Sequence, residues 1–592
     1  MRFDICARAG LLVAIGVTLL GSASCIEVNE RLGENLIPTD QKWHVFTPES
    51  RVIENISLRV SDSLSAYSSR RFTFGSYIDP KLGATTKSTS FTLVPTTDTL
   101  DFGKNTKILQ FHLSAVRDTV STVKENQKGM LQNIYVTELK KPLDSTVLYV
   151  CSFSEHSQQG RENRKEYIND GKFITAGTYI YDGGDSLSFD FSKAWAEKMV
   201  AQIKEWQKLE DIKKDTLSNY LKYVPGICIS TDMPAGSGGR VNMFNIGIEV
   251  NSSGYVTGNY AELKFRADYG DRHDVDTSFI FMFGPSDFPD NSGNLPTQFA
   301  FNMSDHDTYI TYAGDGQKAG NEIIVQGGGG VKPVITAEEI KRIVTEEVGK
   351  VGIASIEDVV INKATIILPY TVSDYAVLDK FPVILSPTVK LHSSTGGNYV
   401  SYAGLTDSSI ESENHGDINR SLCRYSPDIS HHVQEILKLE KGVIDGTQTE
   451  ETDEEYAKRL ARYDIWMLIM HEEVTVENSS NSSYNDYYNN LLYNSYYNNM
   501  MYDPYGYGYG YGGYGGYGGY GGYGGYGYNN YYNYYMMAAM ASASTSTSTE
   551  KSSTDLDKDR YYDCSLDGPE SAARRPELKI TFSVPKTAES NQ

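Results

Sequence analysis

The sequence predicts a mainly β protein. It is expected to form two β-sandwich or jelly-roll-like halves with a few packed helices, plus a disordered Tyr/Gly-rich insertion. Three observations carry that expectation. Short runs of alternating apolar and polar residues, rich in β-branched and aromatic types, recur between Gly, Asp, Asn and Ser. A few longer segments instead space apolar residues three and four apart. One stretch, 478–549, has almost no charge and few aliphatic side chains, so it lacks the means to build a core.

A chain of 592 residues is too long for one core. The reading divides it into a signal segment (1–24), a tether (25–50), a first sandwich-like unit (51–307) and a second β-rich unit (308–477 with 577–585). Residues 478–576 are expected to be a low-complexity insertion.

The amino terminus comes first in that order. Arg2 and Arg8 precede the apolar run LLVAIGVTLLGSAS, and Cys25 follows the small residues Ser22, Ala23 and Ser24. Charge, apolar run and small residues before a cleavage point are the layout of a secretory signal. A cysteine directly after them is the layout of a bacterial lipoprotein, whose thiol takes a diacylglycerol. Ser22 departs from that pattern, which usually carries an aliphatic residue there. The run is short for a membrane span, which needs about 20 apolar residues.

In the first unit the clearest strands are KILQFHLSAV, LQNIYVTEL, STVLYVCSF, GTYIY, SLSFDF, GICIS, MFNIGIEV, AELKFRA and TSFIFMFG. One helix interrupts them: Trp195, Met199, Ile203, Trp206 and Leu209 share a face, which is expected to pack on a sheet. In the second unit, DTYITYAG, NEIIVQ, DVVINKATIILPYTV, FPVILSPTVKLH and YVSYAG read as strands. ITAEEIKRIVTEEVGKVG reads as a helix opened by a Thr336/Glu339 capping box, and SPDISHHVQEILKLEKG as another helix.

The low-complexity stretch includes the run YGYGYGYGGYGGYGGYGGYGGYGY from Tyr505 to Tyr528. Glycine is costly to order, and without proline the Gly-Gly-Tyr triplet cannot be collagen. Beyond it Leu578, Ile580, Phe582 and Val584 alternate with polar residues as a half-buried strand, whose expected neighbour is Asp464–Glu477. The stretch is therefore a loop, not a tail. Lengthening a loop from about 5 to about 100 residues costs roughly 2.6 kcal/mol, which docking of the last strand can offset.

The net charge of −22 argues against nucleic acid as a partner. The six cysteines have no C-x-x-C spacing, so zinc and redox motifs are absent; Cys151 and Cys228, in apolar runs, are expected to be buried thiols. No H-E-x-x-H or G-x-S-x-G occurs, and HEEVT at His471 lacks the second histidine. In QGGGGVKP (Gln326–Pro333) Pro333 follows Lys332 where a phosphate loop needs a hydroxyl, so a mobile loop or bulge is expected. His431 and His432 read as surface or cap residues. The acidic stretches YGDRHDVD and GPSDFPDNSGN read as turns, without the spacing of a calcium loop. No catalytic, cofactor-binding or metal site is expected; the one site residue is Cys25, for lipidation.

LGENLIP, FGSYIDPKLGATTKSTSF, LQFHLS, NIYVTELKKPLD, YVPGICIST, INKATIILPY and the final LKITFSV occur in that order. Together they resemble the domain-of-unknown-function 4270 family of Bacteroidota lipoproteins, over roughly 26–477 and 577–585. The resemblance implies a surface or periplasmic lipoprotein with no established reaction and no residues to carry over. Glu27 and Glu30, just after the cysteine, are compatible with export to the outer face.

The expectation is thus a lipid-anchored outer-membrane protein, on its periplasmic or its external face, acting as a binding, adhesive or structural scaffold rather than as an enzyme. Its expected partners are the membrane, through the lipid on Cys25, and a glycan or surface protein. The runner-up is a glycan-binding module accessory to a polysaccharide uptake system. A glycoside-active enzyme is third; it needs two carboxylates about 5–10 Å apart, which only the fold can bring together.

Overall fold

Apolar residues in this chain collect into two large cores, and each core lies among antiparallel sheets. The computed structural model describes residues 43–61, 64–80, 83–97, 100–118, 130–144, 153, 158–210, 213, 216–250, 256–289, 295–307, 316–352, 356–372, 381–392, 400–407, 416–444, 446–477, 549–560 and 562–585. The signal segment, Cys25, Cys151, most of STVLYVCSF and DTYITYAG, and the Tyr/Gly run lie outside the described residues.

The first body is mainly β, as expected. A nine-stranded sheet centres on Gln132–Leu139, Ile227–Thr231, Gly83–Phe91 and Ala300–Asp307, with the pair Arg71–Asp79 and Gly238–Asn245 beside them. A five-stranded sheet runs in the order Ser186–Asp190, Lys104–Val116, Tyr260–Tyr269, Arg272–Phe283, Leu93–Pro95. The core is dominated by phenylalanine. Phe72 stacks on Phe244 at 5.2 Å, and Phe91 lies 4.8 Å from Phe283. The helix Lys193–Trp206 is capped by Ser192 and buries Trp195, Met199, Ile203 and Trp206, the face its sequence marked. Trp195 stacks on Phe111, which comes from the strand Lys104–Val116.

The second body has an aliphatic core between a six-stranded sheet, which includes Glu577–Pro585 and Val360–Pro369, and a seven-stranded sheet, which includes Ile56–Val60, Val331–Ile335, Ile465–Glu477 and Ile384–His392. The helices Ala337–Lys350 and Ser430–Lys438 bury Ile340, Ile343, Val344, Val433 and Ile436 in it. Thr336 caps its helix as expected, accepting from Glu339 N. The reciprocal half of the box is replaced: Glu339 Oε1 accepts from Glu54 N at 2.9 Å and Oε2 from Asn55 Nδ2 at 2.9 Å. A complete capping box occurs instead at Thr452 and Glu455.

The paths of the chain differ from expectation in three places. Residues 43–60, placed in the tether and the first unit, belong to the second body: Trp43–Phe46 and Arg51–Val52 pair with Glu577–Pro585, and Ile56–Val60 pairs with Val331–Ile335. Residues 549–567, placed in the insertion, form the strands Thr549–Leu556 and Asp563–Asp567. Glu577–Pro585 buries Leu578, Ile580, Phe582 and Val584 as its alternation predicts, but its partner is Val360–Pro369. The partner of Ile465–Glu477 along its distal half is Thr549–Leu556, in register from Met470↔Leu556 to Glu477↔Thr549. The low-complexity run therefore leaves and re-enters the sheet at one pair of residues.

Candidate functional site

Two polar arrangements stand apart from ordinary packing. The first lies between the bodies. In Gly83–Phe91 the residues Thr85, Thr86, Lys87, Ser88, Thr89 and Ser90 are all buried, although none is apolar. β-Branched and small hydroxyl residues suit a strand, and their hydroxyls find partners at short range. Thr89 Oγ1 donates to Asn302 Oδ1 at 3.0 Å, and Asn302 Nδ2 donates to Asp559 Oδ1 at 2.8 Å. Ser68 Oγ donates to the other oxygen of Asp559 at 2.7 Å. Lys87 Nζ donates to the Asp559 carbonyl at 2.7 Å and the Lys558 carbonyl at 3.3 Å. Asp559 thus ties the segment after Thr549–Leu556 to three strands of the first body.

Lys332 is buried a short distance away. Its Nζ donates to the Gln326 carbonyl, to that of Gly328 at 3.0 Å and to that of Gly330 at 3.3 Å. QGGGGVKP is therefore not a mobile loop. It is a buried turn closed over the Lys332 amino group, whose N–H donors, with the Ser61 N–H and hydroxyl on the Gly330 carbonyl, satisfy the carbonyls aimed inward. Gly328 has a φ of +59°, and a Cβ there would come within 3.1 Å of Lys87 Nζ, so this turn requires glycine.

Burial lowers Lys332 to about 7, with the charge of Lys87 adding to the effect. Burial lowers Lys87 to about 8, against the pull of Asp559 and Asp557. His306, which shares a 3.0 Å hydrogen bond with Thr85 through Nδ1, is lowered by burial and by both lysines to about 3 and is neutral near pH 7. The arrangement has the chemistry of a fastener.

The second arrangement lies on the outer face of the five-stranded sheet. Ser186–Asp190 is its edge strand and pairs with Lys104–Val116 so that Asp190 faces His112 and Ser188 faces Ser114. Over Ser186–Asp190 and from Gln110 to Val116, past a bulge at Leu109, even-numbered residues point outward, opposite Leu187, Phe189, Phe111 and Leu113 in the core. His112 Nδ1 lies 2.8 Å from Asp190 Oδ1, and His112 Nε2 lies 3.0 Å from Ser188 Oγ. Gln110 Nε2 donates to the same carboxylate oxygen at 2.9 Å. Asp190 can only accept, so Nδ1 carries the proton; Nε2 then accepts from the Ser188 hydroxyl. Ser188 is exposed and His112 half-exposed.

The residues singled out in the sequence fall elsewhere. Cys25 lies outside the described residues. Cys228 is a buried thiol as expected, pushed up to about 12 by burial. His432 is not a surface residue: it is buried, its Nε2 meets the Tyr463 carbonyl at 2.8 Å, and burial lowers it to about 4. The backbone N–H groups of His431 and His432 cap onto Asp407. YGDRHDVD turns the hairpin between Tyr260–Tyr269 and Arg272–Phe283. His471 lies 3.0 Å from Arg70 Nη1, at the seam between the bodies. Among the described residues no cluster of three His, Cys, Asp or Glu is placed to hold a metal, and no helix is long and apolar enough to cross a membrane.

Sequence reasoning missed Lys87, Lys332, His306, and the set Ser188, His112 and Asp190. The signal for the last was present in part. QFH and SFD put Gln110, His112, Ser188 and Asp190 on one side of alternating strands, but only the register brings them together. No family model matches the chain, and neither a curated protein nor a solved structure does.

Proposed function

We propose that this chain is a lipid-anchored envelope protein whose two-core body displays the Tyr/Gly run as a surface loop for adhesion or matrix contact. The Glu477↔Thr549 register supports this reading most directly. It holds both ends of the 478–548 run side by side, so the body on either side closes without any residue of the run. Many tyrosines on one loop would act by multivalency, each contact weak. Cys25, after small residues and an apolar run, supplies the anchor in this reading, with the outer membrane as the location and a glycan or surface protein as the second partner. The resemblance to the domain-of-unknown-function 4270 family of Bacteroidota lipoproteins, carried by its quoted motifs, is consistent with it.

The test is a chain in which 478–548 is replaced by a four-residue turn. The body should fold as before while attachment to surfaces is lost. Undiminished attachment would remove the adhesive role.

A second reading, glycan recognition, has one observation in its favour. Phe173 is exposed and lies 5.0 Å from the Tyr135 ring on one sheet edge. Asp232 accepts there from Tyr135 OH and Asn133 Nδ2, each at 2.8 Å. Aromatic rings beside a carboxylate and an amide suit sugar rings and their hydroxyls. A glycan array without hits, or hits unchanged in Phe173→Ala, would end that reading.

A further inference from the structure

The structure assigns to Ser188, His112 and Asp190 the geometry of an activated serine nucleophile, and we propose that it cleaves carboxylic esters borne on a solvent-exposed polymer, such as O-acyl groups of a polysaccharide. This goes beyond the scaffold reading and does not depend on it.

Three features carry it. The hydrogen-bond chain runs in the order that activation needs. Ser188 Oγ meets Nε2 at 3.0 Å, and Nδ1 meets Asp190 at 2.8 Å, so the carboxylate fixes the tautomer that leaves Nε2 free to accept the serine proton. The three side chains stand on two adjacent strands of one sheet, a more rigid support than a loop. The carboxylate is itself held by Gln110 Nε2 at 2.9 Å on its oxygen, and the backbone that carries it by Asp190 N donating to Tyr179 OH at 2.8 Å.

An acyl-transfer site also needs a donor for the oxyanion. Phe191 N donates to Phe111 O, and Asp185 O accepts from Arg117 N, so odd-numbered residues of this edge strand turn their backbone groups to the neighbouring strand. Even-numbered residues turn theirs outward, which places the Ser188 N–H on the open edge. The nucleophile's own N–H is then the donor available to the oxyanion.

In the reaction, Ser188 Oγ forms a bond to the ester carbonyl carbon as its proton passes to His112 Nε2. The bond from that carbon to the alcohol oxygen breaks, and the alcohol leaves with the Nε2 proton. Water repeats the sequence on the acyl-serine, releasing the carboxylic acid and restoring the hydroxyl. No oxidant or metal enters the balance. The site lies on an open sheet face, which selects for a group presented by a long exposed chain.

The test uses the full chain with a fluorophosphonate probe, with p-nitrophenyl acetate, and with an O-acetylated polysaccharide assayed for free acetate. Peptide mapping should place the probe on Ser188, and Ser188→Ala should abolish labelling and turnover. His112→Ala should slow both by about 100-fold or more. Asp190 acts through His112 as a positioning residue: Asp190→Asn should slow labelling about as much, and Asp190→Glu, which keeps the carboxylate, should restore part of it. Circular dichroism of each variant should match the parent, since all three residues face solvent. No labelling of Ser188, or labelling within about twofold of the parent in His112→Ala, would overturn the nucleophile. Turnover of the small ester without acetate release from the polysaccharide would overturn the polymer substrate.

Discussion

The two bodies reach similar ends by different means. The first is drawn from a nearly continuous stretch, 66–307, and fills its core with aromatic rings. The second is assembled from three separated pieces, 43–60, 316–477 and 549–585, and fills its core with Ile, Val and Leu. Rings meet edge to face or stacked, and a few of them fill a sandwich assembled from local hairpins. Branched aliphatics fit closely between helix and sheet whatever their order in the chain. The second body can therefore accept a long insertion between two of its strands, because its core already depends on distant pieces. The seam between the bodies is polar, and the second body builds its side from the second piece, with Lys332 and His471, and the third, with Asp559.

The largest effect is expected in the aromatic core. Phe244→Ala removes a ring that contacts Phe72, Phe74 and Tyr181, and should destabilise the first body by about 3–5 kcal/mol in denaturant unfolding. If the seam couples the bodies, one transition will shift as a whole; if it does not, an early transition will separate from an unchanged late one.

The seam itself comes next. Lys332→Ala takes the Lys332 donor from the buried Gln326, Gly328 and Gly330 carbonyls, the last of which keeps the Ser61 N–H at 3.1 Å, and should cost about 1–3 kcal/mol. Its titration has a definite sign. Lys332 and Lys87 are lowered to about 7 and about 8 in the folded chain. Above pH 7 the unfolded chain therefore binds more protons at these two residues, and their contribution to stability rises with pH until the unfolded lysines also titrate, near 10.4. Lys332→Met should flatten that rise. On the acid side His306, lowered to about 3, loses stability for the fold as pH falls through about 6.5 toward 3, since only the unfolded chain then takes up the proton.

Much of this architecture was legible in the sequence. Alternation found Lys104–Val116, Val360–Pro369 and Glu577–Pro585, and three-four spacing found the buried face of Lys193–Trp206. The strand Gly83–Phe91 was not marked by any such pattern. TTKSTS has no apolar period because both of its faces are buried, one against a polar seam that only the fold creates. The same reason hid Lys332, whose carbonyl cage comes from a turn that reads as a loop. Thr549–Leu556, TEKSSTDL, follows a Ser/Thr repeat and continues its composition, so nothing local separates strand from insertion. His112 and Ser188 were each visible, but their meeting depends on register, which a single sequence does not state.

A smaller effect is expected at a helix end. Thr452→Ala removes the side-chain half of the capping box on Asp453–Leu460, leaves the backbone N–H of residue 452 donating to Glu455, and should lower stability by about 1 kcal/mol, with the first body unaffected.

The replacement of 478–548 by a four-residue turn after Glu477 measures the account most directly. The body closes at Glu477↔Thr549, so the shortened chain should fold, keep its strand content and gain roughly 2.5 kcal/mol from the smaller loop. A shortened chain that unfolds, or loses stability, would mean that the Tyr/Gly run is part of the fold and not something it displays.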